Sequence, residues 1–453
     1  MPDRADVRRP RFPRFWKPRL AALIALLVPL CGGHAAGAAQ LRIGPGDGPL
    51  QAAVERAAPG DTLLLQAGVY PGNLLVDKPL VIQGEPGAVL DAAGQGDVVR
   101  VRAPDVTLRG LILRRSGFDL TAMNAAVFVE KSASGVRIEH NRIELAAFGI
   151  WLDACSDAQV LGNRISSDPQ VRSQDRGNGI HLFAVSGARV EDNEVWDSRD
   201  GIYIDTSNRN VLRRNYLHDL RYGIHYMYSY HNEVVGNRTE RTRTGYALMQ
   251  SKFLTVLGNV SERDENYGLL LNFITNSVIA GNRVRDIQRG RVPGGDEGHG
   301  VAGAEGKALF VYNALYNEIR DNLFAGAEIG IHLTAGSEDN RIYGNRFEAN
   351  RTQVKYVANR PQEWSHNGRG NYWSDYLGFD LDGDGIGDIP YEPNDGVDQL
   401  LWKYPVAKVL MHSPAVEILR WVQREFPVLK PPGVRDSAPL MQPPPLPAVE
   451  DGG

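Results

Sequence analysis

The sequence predicts an exported all-β protein: a right-handed parallel β-helix with a repeat of about 22 residues, followed by a C-terminal loop and helix. Three observations carry this. Asparagines recur at Asn141, Asn163, Asn193, Asn215, Asn237, Asn259, Asn282, Asn322 and Asn345, in steps of 22, 30, 22, 22, 22, 23, 40 and 23. Glycine followed by an apolar residue recurs with the same period, at Gly149, Gly179, Gly201, Gly223, Gly245, Gly268 and Gly330. Between these marks the apolar residues alternate, as in Ile202-Tyr203-Ile204, and period two means strand. A 22-residue rung can hold three short strands and three turns. Asn and Gly are expected to supply the turns through positive φ.

The N-terminus reads as an address. Residues 1–19 hold seven Arg or Lys against two Asp, Leu20 to Leu30 is apolar, and Ala36-Gly37-Ala38 fits a cleavage site, so residues 1–38 are assigned as a signal peptide. The apolar run is short for a membrane span, and Leu30 before Cys31 is too bulky for a lipoprotein signal. Cleavage removes a net +5, so the formal charge of −4 becomes −9. No basic surplus remains to neutralise phosphates, which argues against nucleic acid. Cys155 is the cysteine left, so an intramolecular disulfide is excluded and a buried, inert thiol is expected.

The body is assigned to residues 39–360. Ala52–Ala57 reads as a short capping helix, Gly60 to Leu65 and Gly68-Val69-Tyr70 open the first rungs, and about a dozen rungs follow. This opening resembles that of pectate-lyase-like β-helices. The two long asparagine steps are polar insertions, residues 167–177 and about 286–304, of a length that on a rigid scaffold serves binding or is a tolerated excursion.

Residues 361–412 read as an Asp/Gly-rich cap. Asp380, Asp382, Asp384 and Asp388 with Gly385 match positions 1, 3, 5, 9 and 6 of a calcium loop, but Tyr391 replaces the bidentate acid at position 12. Calcium and an Asx-turn cap are both open readings. Ser413-Pro414 starts a helix over 413–428, whose apolar face of Ile418, Leu419, Val422 and Phe426 would pack on the solenoid end or dock a partner. The Pro-rich tail, 429–453, is expected to be disordered.

Chemistry is expected on one stripe. Residues one and three after each glycine are apolar nearly throughout and line the interior, so residues two and four after it face out. The outward pairs include Trp151/Asp153, His181/Phe183, Tyr203/Asp205, His225/Met227, Ala247/Met249 and His332/Thr334. Met227 and Met249 fall in one column on adjacent rungs, with His225 two residues from Met227. Thioether and imidazole suit Cu(I), so His181, His225, Met227 and Met249 are the copper candidates, with Met411 and His412 as an alternative position. The bland reading is an apolar patch under a loop or partner. The same stripe permits acid–base chemistry by His181, His225, Tyr203 and Asp205, as in a polysaccharide lyase or epimerase, but it lacks the Arg or Lys that an acidic polymer would favour.

The runs Gly223-Ile-His-Tyr-Met-Tyr-Ser229 and Gly245-Tyr-Ala-Leu-Met-Gln-Ser251 resemble the central repeats of the NosD family. So do Asn371-Tyr-Trp-Ser-Asp-Tyr376, the Asp380–Asp388 loop with Pro390-Tyr-Glu-Pro393, and the segment from Leu401 to Gly433. The resemblance covers about residues 40–442. It implies a periplasmic accessory protein of nitrous oxide reductase maturation, receiving or presenting copper for the copper–sulfur centre. The implied partners are an ABC transporter permease and ATPase, a copper chaperone lipoprotein and the apo reductase, with membrane contact only through the permease. It implies no turnover of a small molecule. A carbohydrate-active β-helix, and a scaffold without metal, remain the alternatives.

Overall fold

In the computed structural model three parallel sheets run the length of a solenoid, and each rung contributes one strand to each sheet. The structure describes residues 38–288, 305–334, 336–357 and 360–395, parts of 397–406, and residues 413–426 and 433–447. The expected signal peptide, the Gly294–His299 part of the second insertion, and Met411 with His412 lie outside the described residues.

Sheet 1 has 13 strands, from Gln40–Ile43 to Arg341–Tyr343. Sheet 2 also has 13, from Gly68–Pro71 to Tyr372–Trp373. Sheet 3 has 12, from Leu74–Val76 to Thr352–Val357, and many of its strands are six residues long. The ladder thus starts at Gln40 and ends at Trp373, beyond both edges of the rung series read from glycine and asparagine. A helix over Leu50–Arg56 caps the open end and buries Leu50, Ala53 and Val54.

The interior is a continuous apolar column in which Ile150, Leu152, Ile180, Leu182, Ile202 and Ile204 are fully buried. Cys155 sits in it as a free thiol, pushed up to about 12 by burial. The asparagine series is a buried ladder. The side-chain oxygen of Asn237 accepts from both the backbone N–H and the side-chain amide of Asn215, and Asn237 repeats the pattern with Asn259.

The expectation that these Asn and Gly adopt positive φ is corrected. The left-handed residue is the one before each Asn, such as His140, Gly162, Asp192, Arg214 and Gly236. The strand-opening glycines are required by close approach instead. A Cβ on Gly223 would stand 2.6 Å from the carbonyl oxygen of Gly245 on the next rung, and one on Gly201 would stand 2.6 Å from that of Gly223. Backbones stacked at the ~4.8 Å strand spacing leave no room there for a side chain.

The Pro-rich tail is ordered over residues 433–447, contrary to expectation. Val434–Arg435 pairs with Gln362–Glu363, and the fully buried Asp436 accepts from the Asn371 N–H and from Trp373 Nε1. Farther on, the Pro447 carbonyl accepts from Arg283. Proline lacks an N–H but keeps its carbonyl, so such a segment can still dock along polar side chains.

Candidate functional site on the outer face of sheet 3

The outward columns of sheets 1 and 2 are charge ladders. Arg189 pairs with Glu191, Arg214 with Asp192, and Arg263 with Glu240. Sheet 3 differs. Its central outward column, in register, reads Arg100, Phe128, Trp151, His181, Tyr203, His225, Ala247, Leu270, Phe310, His332 and Lys355. The rings touch from rung to rung: Trp151 lies tilted against His181 with centroids 3.8 Å apart, and edge-to-face contacts follow at 4.7 Å for His181 and Tyr203 and 4.7 Å for Tyr203 and His225.

Among the described residues the insertions enter at the corner between sheets 2 and 3. Residues 167–177 and 286–304 do so, and so does residues 115–124, which lies ahead of the asparagine series. Leu120 of that third insertion packs on the cluster of Ala125, Phe128, Ala147, Phe148 and Trp151. The upper part of the column is therefore covered.

His181 and His225 stand two rungs apart with the Tyr203 ring between them, so one ion cannot be held by both. His181 lies within hydrogen-bond distance of Asn178 Nδ2 at 3.1 Å, and burial pushes its imidazole down to about 3, so it is neutral at any ordinary pH. His225 is buried and its Nδ1 is 3.1 Å from Asp200 Oδ2. Asp200, wholly buried, also accepts two hydrogen bonds from Arg221, at 2.8 and 2.6 Å. Burial would raise that carboxyl, but His225 and Arg221 hold it below the ordinary carboxylate range. An ionised carboxylate on Nδ1 fixes the tautomer in which Nε2 carries a lone pair, as in carboxylate–histidine–metal arrangements. Asp200 escaped the sequence reading. Alternation places the residue before the glycine with the interior set, whereas Asp200 opens its strand within reach of His225 on the next rung.

The next outward column holds Asp153, Phe183, Asp205 and Met227, then Met249, Asn272 and Tyr312 on the rungs below. Met227 and Met249 end equivalent strands and are half-buried. Gln250 Oε1 and Asn272 Oδ1 beside Met249 are buried without a hydrogen-bond partner among the described residues. The enzyme reading gains Arg199 and Arg221 near the stripe. Arg221, however, is committed to Asp200, and Arg199 donates to Asn178.

The C-terminal candidates lie apart from the stripe. Asp380, Asp382 and Asp384 bring carboxylate oxygens within 4.8 Å of one another, while Asp388 instead accepts from the Leu381 N–H at 2.8 Å. Asp380 accepts from the N–H groups of Gly383 and Gly385, which pull its carboxyl below the usual range. The helix runs over Pro414–Glu425, and Ser413 caps it by accepting from the Val416 N–H. Val416 packs on Val397, and Arg420 pairs with Asp395 and Asp398. Ile418, Leu419 and Phe426 are exposed and Val422 is half-buried, so most of the apolar face stays open. A cleft of about 350 Å³ lies between the last rungs and the cap, lined among others by Glu305, Lys355, Asp375, Tyr391 and Asn394.

A family model described as "Periplasmic copper-binding protein (NosD)" matches residues 161–378, the rungs that carry the stripe. A relative from Pseudomonas aeruginosa, named "Probable ABC transporter binding protein NosD", is 55% identical over 434 residues, covering 95% of this chain and 97% of the relative. The chain belongs to the NosD family. A relative of the same name from Stutzerimonas stutzeri is 58% identical over 378 residues, covering 83% of this chain and 86% of its own. Among solved structures, the Streptococcus pneumoniae surface protein and adhesin PfbA aligns with a TM-score of 0.54 at 10% identity, over 70% of this chain and 100% of that one. The Dettilon tailspike protein aligns with a TM-score of 0.53 at 16% identity, over 70% and 68%. These two share the fold alone. Membership of NosD agrees with a parallel solenoid tied to copper and to an ABC transporter, and the relatives' names describe a binding protein rather than an enzyme. Among the described residues no helix is long and apolar enough to cross a membrane.

Proposed function

We propose that this chain is a periplasmic accessory protein that receives or presents Cu(I) during assembly of the copper–sulfur centre of nitrous oxide reductase, without turnover of its own. It would work with an ABC transporter permease and ATPase, a copper chaperone lipoprotein and the apo reductase. The permease would dock on the open face of Ile418, Leu419, Val422 and Phe426. The observation that carries the copper assignment is the Asp200–His225 pair beside the methionine column. His225 Nε2 and the sulfurs of Met227 and Met249, on neighbouring outward columns, would make a soft donor set suited to Cu(I). His181 falls out of the set because Tyr203 separates it. Calcium in the Asp380–Asp384 loop would serve the cap and not the copper.

The test is anaerobic Cu(I) competition on the mature protein beside a Met227→Leu/Met249→Leu variant. A tenfold or larger weakening, about 1.4 kcal/mol, is expected. Unchanged tight binding would move the site off this column. No binding by the parent would leave a scaffold without metal.

A further inference from the structure

The strand Gln40–Ile43 is the first of sheet 1 and has one neighbour, Thr62–Leu65. An outermost strand near a terminus frays unless it is tied down. Its far end is tied by Tyr70, whose hydroxyl donates to the Ile43 carbonyl at 2.7 Å. Its near end is tied through Asp61. Oδ1 of Asp61 accepts from the Ala39 N–H at 2.8 Å. Oδ2 accepts from the Ala58 N–H at 2.8 Å, in the turn that follows the capping helix. The Ala39 carbonyl accepts from the Thr62 N–H, so Ala39 is held on both sides.

Three buried carboxylates stand in the opening rungs, Asp61, Asp91 and Asp97. Asp91 pairs with Arg114 and Arg115, and Asp97 with Arg100. Asp61 is 7% exposed and has no cation among the described residues. Lys78, the basic side chain at this turn, donates to the carbonyls of Glu55 and Ala57 instead. A buried carboxylate held by neutral amides alone bears a desolvation cost that a positive charge would offset.

The donor on Oδ1 lies at the expected processing site. The small residues Ala35 to Ala39 let the cleavage rule fit more than one bond. The contacts separate the choices. Hydrolysis of the Ala38–Ala39 bond takes up one water, breaks the C–N bond, and leaves a carboxylate on Ala38 and an ammonium on Ala39. A cut one residue earlier leaves the Ala39 nitrogen an amide, and a cut one residue later removes it.

We infer that the mature chain begins at Ala39 and that its α-ammonium is the cation Asp61 lacks, so that removal of the export signal by a leader peptidase locks the first strand to the capping turn. Processing thus completes the entrance of the solenoid. Before the cut the same nitrogen offers Asp61 one neutral N–H, and after it three charged ones.

The first measurement is made on the full-length precursor exported in a Gram-negative host. Intact mass and N-terminal sequencing of the periplasmic protein are expected to read Ala39-Gln40-Leu41-Arg42. Another first residue, or an uncut chain, would overturn the inference. The ion pair is read by hydrogen exchange at the Thr62 amide, which donates to Ala39. Two chains are compared, one beginning at Ala39 and one with Gly-Ser ahead of it, where the nitrogen stays an amide. At pH 6.5 exchange is expected to be tenfold or more slower in the first. A partner carboxylate raises an amine above its ordinary value of about 7.7–8.0. The gap is therefore present below that value and lost as pH rises through the folded pKa. Asp61→Asn is expected to speed exchange at least tenfold more in the Ala39-first chain than in the extended one. Equal exchange in the two parent chains would overturn the inference. So would an equal effect of Asp61→Asn in both, since Asp61 would then only shape the turn. The parent comparison stands by itself if the variant does not fold.

Discussion

The outer face of sheet 3 and the outer faces of sheets 1 and 2 are built on the same rung and spend it differently. On sheets 1 and 2 arginines pair with acidic residues within a rung or on the next one, as Arg164 does with Glu194 and Arg213 with Glu233, with both partners partly exposed. On sheet 3 the central column reads Trp, His, Tyr, His, in ring contact from rung to rung, with Leu120 of an insertion packed over its start. Solvated ion pairs contribute little to stability and ask nothing of their neighbours. A buried carboxylate between an imidazole and a guanidinium does the reverse, because each member depends on the others. The difference separates a face that keeps the protein in solution from a face held in fixed geometry.

The sharpest way to break this contrast is Asp200→Ala. It leaves Arg221 and His225 without their buried partner, and the expected loss is about 3–5 kcal/mol, measured by denaturant unfolding. Asp200→Asn is milder for the fold and is expected to weaken Cu(I) binding by roughly 10–100-fold, since second-shell partners of a metal histidine have that leverage.

Next in size is a pH effect inside the solenoid. Asp264 is wholly buried among Thr239, Thr242 and Ser261, and burial raises its carboxyl to about 6. A raised carboxyl binds its proton more tightly in the folded chain. Its contribution is therefore present below the unfolded value of about 3.9 and lost as pH rises through 6, about 3 kcal/mol in all. Asp264→Asn is expected to flatten that segment of the stability–pH curve. A curve unchanged by the substitution would remove Asp264 from the account.

The smallest effect is expected on the solvated face. Arg164→Ala or Glu194→Ala should change stability by about 1 kcal/mol or less, because both side chains of this pair reach solvent and the arginine is more than half exposed. A loss as large as that of Asp200→Ala would show that the two faces do not differ as argued.

Much of the stripe was legible because it is periodic. Gly149 to Gly330 set the phase, alternation divided inward from outward residues, and the register places Met227 and Met249 at matching strand ends. The site's supports were not. Asp200 and His225 are 25 residues apart and meet only because stacking sets the start of one strand beside the middle of the next. Tyr203 separates His181 from His225, a consequence of the 22-residue step that becomes decisive only once ring stacking is seen. The insertion over residues 115–124 precedes the first asparagine of the series and so left no long step to notice.

The sequence by itself determined the rung, the parity of its strands and the family, because a solenoid repeats one local solution and each copy restates it. Tertiary structure alone decided what covers the stripe, where the tail goes and which residues take left-handed turns. Those depend on contacts between distant segments. Asp436 reaches back 65 residues to Asn371, and the Pro447 carbonyl meets Arg283 on a rung far up the chain.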